Sequence, residues 1–247
     1  MSQSARLALG TLAFGRTWGL KYPRPVVLPS DAELDRLLGV AAELGVDLLD
    51  TAPAYGTAEQ RLGQRLHHHR GAFRLATKAG EESTPDKGSH FDFRPEALRR
   101  SVERSLRRLR VDCLDIVFLH AGADDHEALE GVETLRRLQE EGALRQVGAS
   151  TKSVDGGLAA VAVCDVVMLA YNPIDRSQEP VLDAAAARGV GVLVKKPLAS
   201  GHWATKRSAA EALTFAARPP AVSHVVVGTT SAEHLRSNAA ALEASAR

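Results

Sequence analysis

Four side chains suited to proton transfer punctuate the first half of this 247-residue sequence. Asp50 ends the apolar run VDLLD, Tyr55 follows in DTAPAYG, Lys78 ends FRLATK and His120 ends DIVFLH. A carboxylate, a phenol, an ammonium and an imidazole are groups from which positioned acids and bases are made. Taken singly, each has a plainer role. A strand-end Asp anchors a loop or caps a helix, a Tyr packs its ring, a Lys is solvated and a His is a satisfied structural residue. An apolar strand, however, needs no such group for its own stability. Four of them in corresponding places converge if their strands lie side by side around one mouth.

The rest of the pattern supplies such strands. Short β-rich runs fall at Leu7–Thr11, Val46–Asp50, Phe73–Lys78, Leu114–His120, Leu144–Ser150, Asp165–Ala170, Gly191–Lys195 and Val222–Val227. Amphipathic stretches alternate with them. Leu98, Val102, Leu106 and Leu109 mark one helix face between Pro95 and Arg110, and Leu129, Val132, Leu135 and Leu138 mark another that ends at Gly142. Ser30-Asp31 signals a helix start and Gly45 a stop. Shorter helices are expected over Leu182–Ala187 and Ala209–Ala217, and a last one carries Leu235 and Leu242. Strand-then-helix units repeated in this way imply parallel pairing with right-handed crossovers. Eight of them in a chain of this length predict an α/β protein, a single (β/α)8 TIM barrel spanning residues 1–247. A doubly wound open sheet would carry a GxGxxG turn after an early strand, and none is present. The polar connections Arg16–Pro29 and Glu81–Phe93 follow strands and should overhang the C-terminal mouth, where barrel chemistry occurs.

Composition narrows the function further. At 45% apolar residues the chain can bury its own core without a disulfide or metal staple. A net charge of +1 argues against a nucleic-acid partner. Cys113 and Cys164 sit singly in apolar runs and read as reduced core thiols, with no metal-ligand spacing around them. The N-terminus lacks a signal-peptide pattern, and no apolar run spans a bilayer, so a cytoplasmic protein without a membrane partner is expected. His67, His68 and His69 suit the negative end of a helix. The arginines of the Pro95–Arg110 helix lie opposite its apolar face and read as a solvated surface. Nothing in the sequence selects an oligomeric state.

The segments LALGTLAFG, GVDLLDTAPAYGTAEQRLG, LATKAG, RSLRRLRVDCLDIVFLH, EEGALRQVGAS, YNPIDR, KKPLASG and VVVGTTSAEHLRSN, in this order, resemble the aldo-keto reductases from Leu7 to about Asn238. The resemblance implies a (β/α)8 barrel that interconverts small carbonyls and alcohols with NADP(H), or less often NAD(H). The chain is short for that family, which implies trimmed loops. The family tetrad carries over to Asp50, Tyr55, Lys78 and His120. Tyr55 would donate the proton, Lys78 would lower the phenol pKa, Asp50 would hold Lys78, and His120 would orient the carbonyl oxygen.

The implied cofactor contacts depart from the family in places. Gly10 and Thr11 match its backbone approach to the nicotinamide, and Ser150 matches the carboxamide-binding serine. Thr151 stands where Asn is usual, Met168 where Gln is usual, and Lys195 where an aromatic ring often stacks. Each lost hydrogen-bond partner typically costs about 0.5–1.5 kcal/mol. An ammonium at Lys195 would disfavour the oxidised, cationic ring. Pro197, Leu198, Ala199 and Gly201 match the pyrophosphate turn. Gly228, Thr229, Thr230, His234 and Asn238 match the adenosine end, with Gly228 and His234 replacing the usual Lys and Arg. Trp18 and Trp203 are the first choices for a substrate pocket, with Tyr22 and Phe91 behind them. Two other functions fit parts of the pattern: a non-catalytic NADP(H)-binding redox sensor, and a Schiff-base lyase using Lys78 or Lys195.

Overall fold

The computed structural model describes residues 6–20, 25–69, 71–203 and 208–245. Its strands are β1 (Arg6–Gly10), β2 (Leu48–Asp50), β3 (Arg74–Ala79), β4 (Glu81–Thr84), β5 (Gly88–Phe91), β6 (Leu114–His120), β7 (Leu144–Ser150), β8 (Val166–Ala170), β9 (Gly191–Lys195) and β10 (Val222–Gly228). Its α-helices are α1 (Asp31–Glu43), α2 (Ala58–Arg65), α3 (Pro95–Leu109), α4 (Asp125–Leu129), α5 (Val132–Glu140), α6 (Val154–Val163), α7 (Glu179–Arg188), α8 (Ala209–Ala217) and α9 (Ala232–Ser245). The strands close in the order β1-β10-β9-β8-β7-β6-β3-β2, all neighbours parallel. This is the expected (β/α)8 barrel, and each barrel strand falls at its predicted run.

Two layers of apolar packing hold the barrel. Inside it lie Ala8, Leu48, Ala76, Ile116, Phe118, Val166, Met168, Leu193 and Val226. Outside it, the odd-phase strand residues, such as Leu9, Leu49, Val117 and Leu119, pack against the helices. The local signals act as written in the sequence. Ser30 and Glu33 form a reciprocal capping box that starts α1. Pro95 occupies the first turn of α3, and Arg110 ends that helix in a left-handed conformation.

Two readings need correction. The stripe Leu129, Val132, Leu135 and Leu138 is divided between α4 and α5 rather than forming one helix. The break falls at Glu130-Gly131, where glycine adds its poor helix propensity. The connection Glu81–Phe93 is not a bare loop. It folds into the antiparallel hairpin β4–β5, in register from Glu81 opposite Phe91 to Thr84 opposite Gly88. The turn Pro85-Asp86-Lys87 with Gly88 at φ +68° supplies the chemistry of a short hairpin loop. Tyr22 lies outside the described residues.

Candidate active site

Side chains alternate between the faces of a strand with a period of two. Stepping that alternation from the inner core to the strand ends brings Asp50 after Leu48, Lys78 after Ala76, His120 after Phe118 and Lys195 after Leu193. Gly10, Ser150 and Gly228 complete the same rim, with Gly10 opposite both Gly228 and Asp50, and Ser150 opposite His120. The apolar interior therefore ends in a polar ring at the C-terminal mouth. Asp50, Lys78 and His120 converge because one inward-facing phase runs through their strands, and Tyr55 joins them from the turn after β2.

Lys78 is the centre of this ring. Its Nζ donates to Asp50 Oδ1 at 2.6 Å and to the Thr51 carbonyl at 2.9 Å, and both charged side chains are buried. The ammonium lies 4.7 Å from the centroid of the Tyr55 ring. Burial pulls the Lys78 pKa down, but Asp50 and Tyr55 outweigh it and hold the amine charged. The Tyr55 hydroxyl is pushed up to about 12. Burial raises it and the Asp50 charge adds to that, while Lys78 pulls it down without prevailing. The expected pull from Lys78 is present, but the expected net fall of the phenol pKa is not.

Tyr55 is fixed by loop contacts. It sits on the single turn Pro53–Tyr55 after β2. Gly56 follows at φ +63°, and a Cβ there would meet the Gly15 carbonyl at 2.1 Å and the Trp18 ring at 2.8 Å. Only glycine permits this approach of the β1–α1 loop to the Tyr55 turn. Arg16 fastens the same contact, donating to the carbonyls of Ala54 at 3.0 Å and Trp18 at 2.9 Å.

His120 stands edge-on to Tyr55, with ring centroids 6.5 Å apart at 83°. Its Nδ1 is buried and lies 2.7 Å from Glu81 Oε2, a short but poorly aligned contact. Ser89 Oγ donates to the other Glu81 oxygen at 2.5 Å. Glu81 was not singled out in the sequence. The available signal was an acid three residues after a strand-end lysine, with Gly80 between them to turn the chain. Gly80 has φ +99°, and a Cβ there would meet the Phe93 ring at 2.2 Å. The hairpin is thereby folded back so that β4 presents its first residue to the mouth.

A phenol, an ammonium, a carboxylate and an imidazole gathered at the mouth of a parallel barrel form a candidate acid–base site. A model of the Aldo/keto reductase family matches residues 6–211. The chain belongs to the aldo-keto reductase family. A Pseudomonas aeruginosa protein assigned to the aldo-keto reductases has a crystal structure similar to this one, with 39% identity and a TM-score of 0.88 over 99% of this chain and 92% of that one. "Uncharacterized oxidoreductase YqkF" of Bacillus subtilis is 29% identical over 84% of this chain and 81% of its own length. The "NADH-specific methylglyoxal reductase" of Escherichia coli is 28% identical over 80% of this chain and 64% of its own length. As an aldo-keto reductase the chain is an enzyme of the oxidoreductase class.

Aldo-keto reductases take hydride from a nicotinamide dinucleotide, and several residues here fit such a group. Thr151 Oγ1 is buried with no hydrogen-bond partner, beside Ser150 on the rim. Ser150 Oγ accepts from Lys195 Nζ at 2.8 Å, which leaves its own hydrogen free to donate. Thr11 donates to the Asp50 carbonyl from both its hydroxyl and its backbone N–H and is wholly buried. Met168 is packed in the barrel interior and offers no amide contact. Past Pro197 and Leu198, Ala199 and Ser200 hold φ of +48° and +56° and Gly201 +88°. Such strain in non-glycine residues costs about 1–3 kcal/mol each and collects at functional turns. Gly228 at the end of β10, Thr230 after it and His234 in the first turn of α9 are exposed, Thr229 is partly so, and Asn238 is buried.

The two tryptophans take different places. Trp18 Nε1 donates to Ser83 Oγ of the hairpin at 3.3 Å, beside Gly56 and so near Tyr55. Trp203 is 9% exposed, with Nε1 donating to the carbonyl of Ser208, the residue before α8, at 3.1 Å. Among the described residues no helix is long and apolar enough to cross a membrane.

Proposed function

We propose that this aldo-keto reductase interconverts a small aldehyde or ketone and its alcohol, with Tyr55 as proton donor and NADP(H) as cofactor. The observation that carries this reading is the Lys78 ammonium, tied to Asp50 at 2.6 Å and lying 4.7 Å from the Tyr55 ring. When bound, the dinucleotide supplies or accepts the hydride. The chain supplies the proton and the geometry. Tyr55 keeps its proton firmly, as burial dictates, until an alkoxide develops beside it. Lys78 then stabilises the phenolate that remains. Asp50 keeps the lysine charged and in place. His120 aligns the carbonyl oxygen from the neighbouring strand.

Ser150 and Thr151 would hold the carboxamide, Gly10 and Thr11 would face the nicotinamide, and the strained turn Pro197–Gly201 would receive the pyrophosphate. Thr229, Thr230, His234 and Asn238 would meet the adenosine end. A second choice of dinucleotide, NAD(H), is favoured by Gly228 and His234, which remove two cations from the 2′-phosphate position, and by the NADH specificity named for the Escherichia coli relative.

The test is consumption of NADPH and NADH over a panel of aldehydes and ketones. Turnover with at least one carbonyl is expected, faster with NADPH, and Tyr55→Phe should lose about 10²-fold or more while the barrel still folds. Dinucleotide binding without turnover of any carbonyl, or near-full activity in Tyr55→Phe, would overturn the reading.

A further inference from the structure

His120 is backed by a carboxylate outside the tetrad. Glu81 Oε2 lies 2.7 Å from Nδ1, and Glu81 is only 8% exposed. Burial alone would raise the Glu81 pKa, but His120, Ser89 and Arg16 overcome it and hold the carboxyl at about 2. An ionised carboxylate only accepts hydrogen bonds, so at 2.7 Å it favours a proton on the nitrogen facing it, even across this poorly aligned contact. A neutral imidazole has one N–H and one bare nitrogen. With the proton on Nδ1, Nε2 of the neutral ring is an acceptor and has nothing to donate to a carbonyl oxygen.

We propose that Glu81 is a positioning residue that locks a proton on His120 Nδ1, so that Nε2 donates to a substrate carbonyl only while the imidazole is cationic. The substrate half of this statement rests on the carbonyl-reductase reading; the tautomer half does not. Several groups act on the ring. Glu81 faces it from β4, Lys78 from β3, Lys195 from β9 and Tyr55 from the turn after β2, with Asp50 behind Lys78. Arg16 and Ser89 act on it through Glu81. Burial, Lys78 and Lys195 oppose the cation and Glu81 supports it, and the balance falls below the ordinary histidine value of 6.5. Carbonyl reduction should therefore gain towards acid pH. Replacing Glu81 by glutamine offers Nδ1 an amide that can donate as well as accept. The proton is then free to move to Nε2, and the neutral ring becomes a donor.

Two measurements on the full chain test this. Nitrogen-edited NMR of the imidazole signals, with His120→Asn to assign His120, should show the proton of the neutral ring on Nδ1 in the wild type. Glu81→Gln should lose that preference and titrate at lower pH. In parallel, kcat/KM for carbonyl reduction should fall about tenfold per pH unit above the His120 titration in the wild type, and by less than about twofold in Glu81→Gln. A neutral wild-type ring protonated on Nε2, or the same slope in both proteins, overturns the proposal. A proton on Nδ1 in an enzyme that reduces no carbonyl upholds the lock and instead overturns the function proposed above.

Discussion

A half-buried phenol and a half-buried amine meet opposite demands at this mouth. Tyr55 is pushed up to about 12 and keeps its proton, which suits a donor to a developing alkoxide. Lys195 is pushed down to about 7, by burial first and then by Lys196, Lys78 and Lys152. Its Nζ donates to Ser150 Oγ at 2.8 Å and to the Thr151 carbonyl at 3.1 Å, the two residues matched to the carboxamide site. An ammonium there repels an oxidised nicotinamide more than a reduced one. Because the amine is cationic only below its pKa, the discrimination should be present below about pH 7 and fade above it. Calorimetry should find NADPH bound about three- to tenfold tighter than NADP⁺ on the acid side, and Lys195→Met should remove most of the difference. Equal wild-type affinities for the two forms at acid pH would sink this account of Lys195.

At the scale of elements, the barrel strands were legible because each is a short apolar run bounded by turn or helix signals. Asp50, Lys78 and His120 were legible as the polar ends of such runs. The hairpin β4–β5 was not, since its burial pattern is mostly exposed and its sequence EESTPDKGSHF has no apolar alternation. Its only cue was the Pro-Asp-Lys-Gly turn. Glu81 was missed with it, because a glutamate in a polar stretch reads as solvated until a fold-back buries it. The split between α4 and α5 was missed for another reason: the apolar stripe continues across Gly131, and periodicity carries no mark of the break. The net rise of the Tyr55 pKa was also beyond reach, since spacing shows a neighbouring cation but not the depth of burial that opposes it. Gly80 is the hinge of the missed element. Gly80→Ala places a Cβ against Phe93 in a backbone of φ +99°. A loss of about 1–3 kcal/mol in chemical denaturation is expected, together with displacement of Glu81 and loss of the acid-side gain in carbonyl reduction. An alanine variant with wild-type stability and pH profile would show that the hairpin needs no such hinge.

For the whole molecule, the ring at the mouth has a counterpart at the opposite, N-terminal end of the barrel. Asp47 accepts from Arg6 and Arg74 at 2.9 Å each and lies 3.2 Å from His224 Nε2. These groups tie β1, β3 and β10 to the residue before β2, across the seam where the first and last strands meet. Among the described residues this end holds none of the candidate groups, and its ion pairs serve closure. Burial pushes the His224 pKa down to about 4 from 6.5, and Asp47 offsets only part of that. The unfolded chain therefore binds a proton that the folded one refuses between those values. The stability tied to His224 is fully present above about pH 6.5 and is lost as pH falls towards 4. A shift of this size corresponds to about 3 kcal/mol. His120, also held below its ordinary value, adds a contribution of the same sign. Unfolding free energy measured by denaturant titration should therefore drop between about pH 7 and pH 5, and His224→Gln should flatten that slope without abolishing it. If the variant and the wild type lose stability equally over this range, the seam histidine is not the group that titrates. The acid sensitivity of the barrel would then have to lie at its mouth.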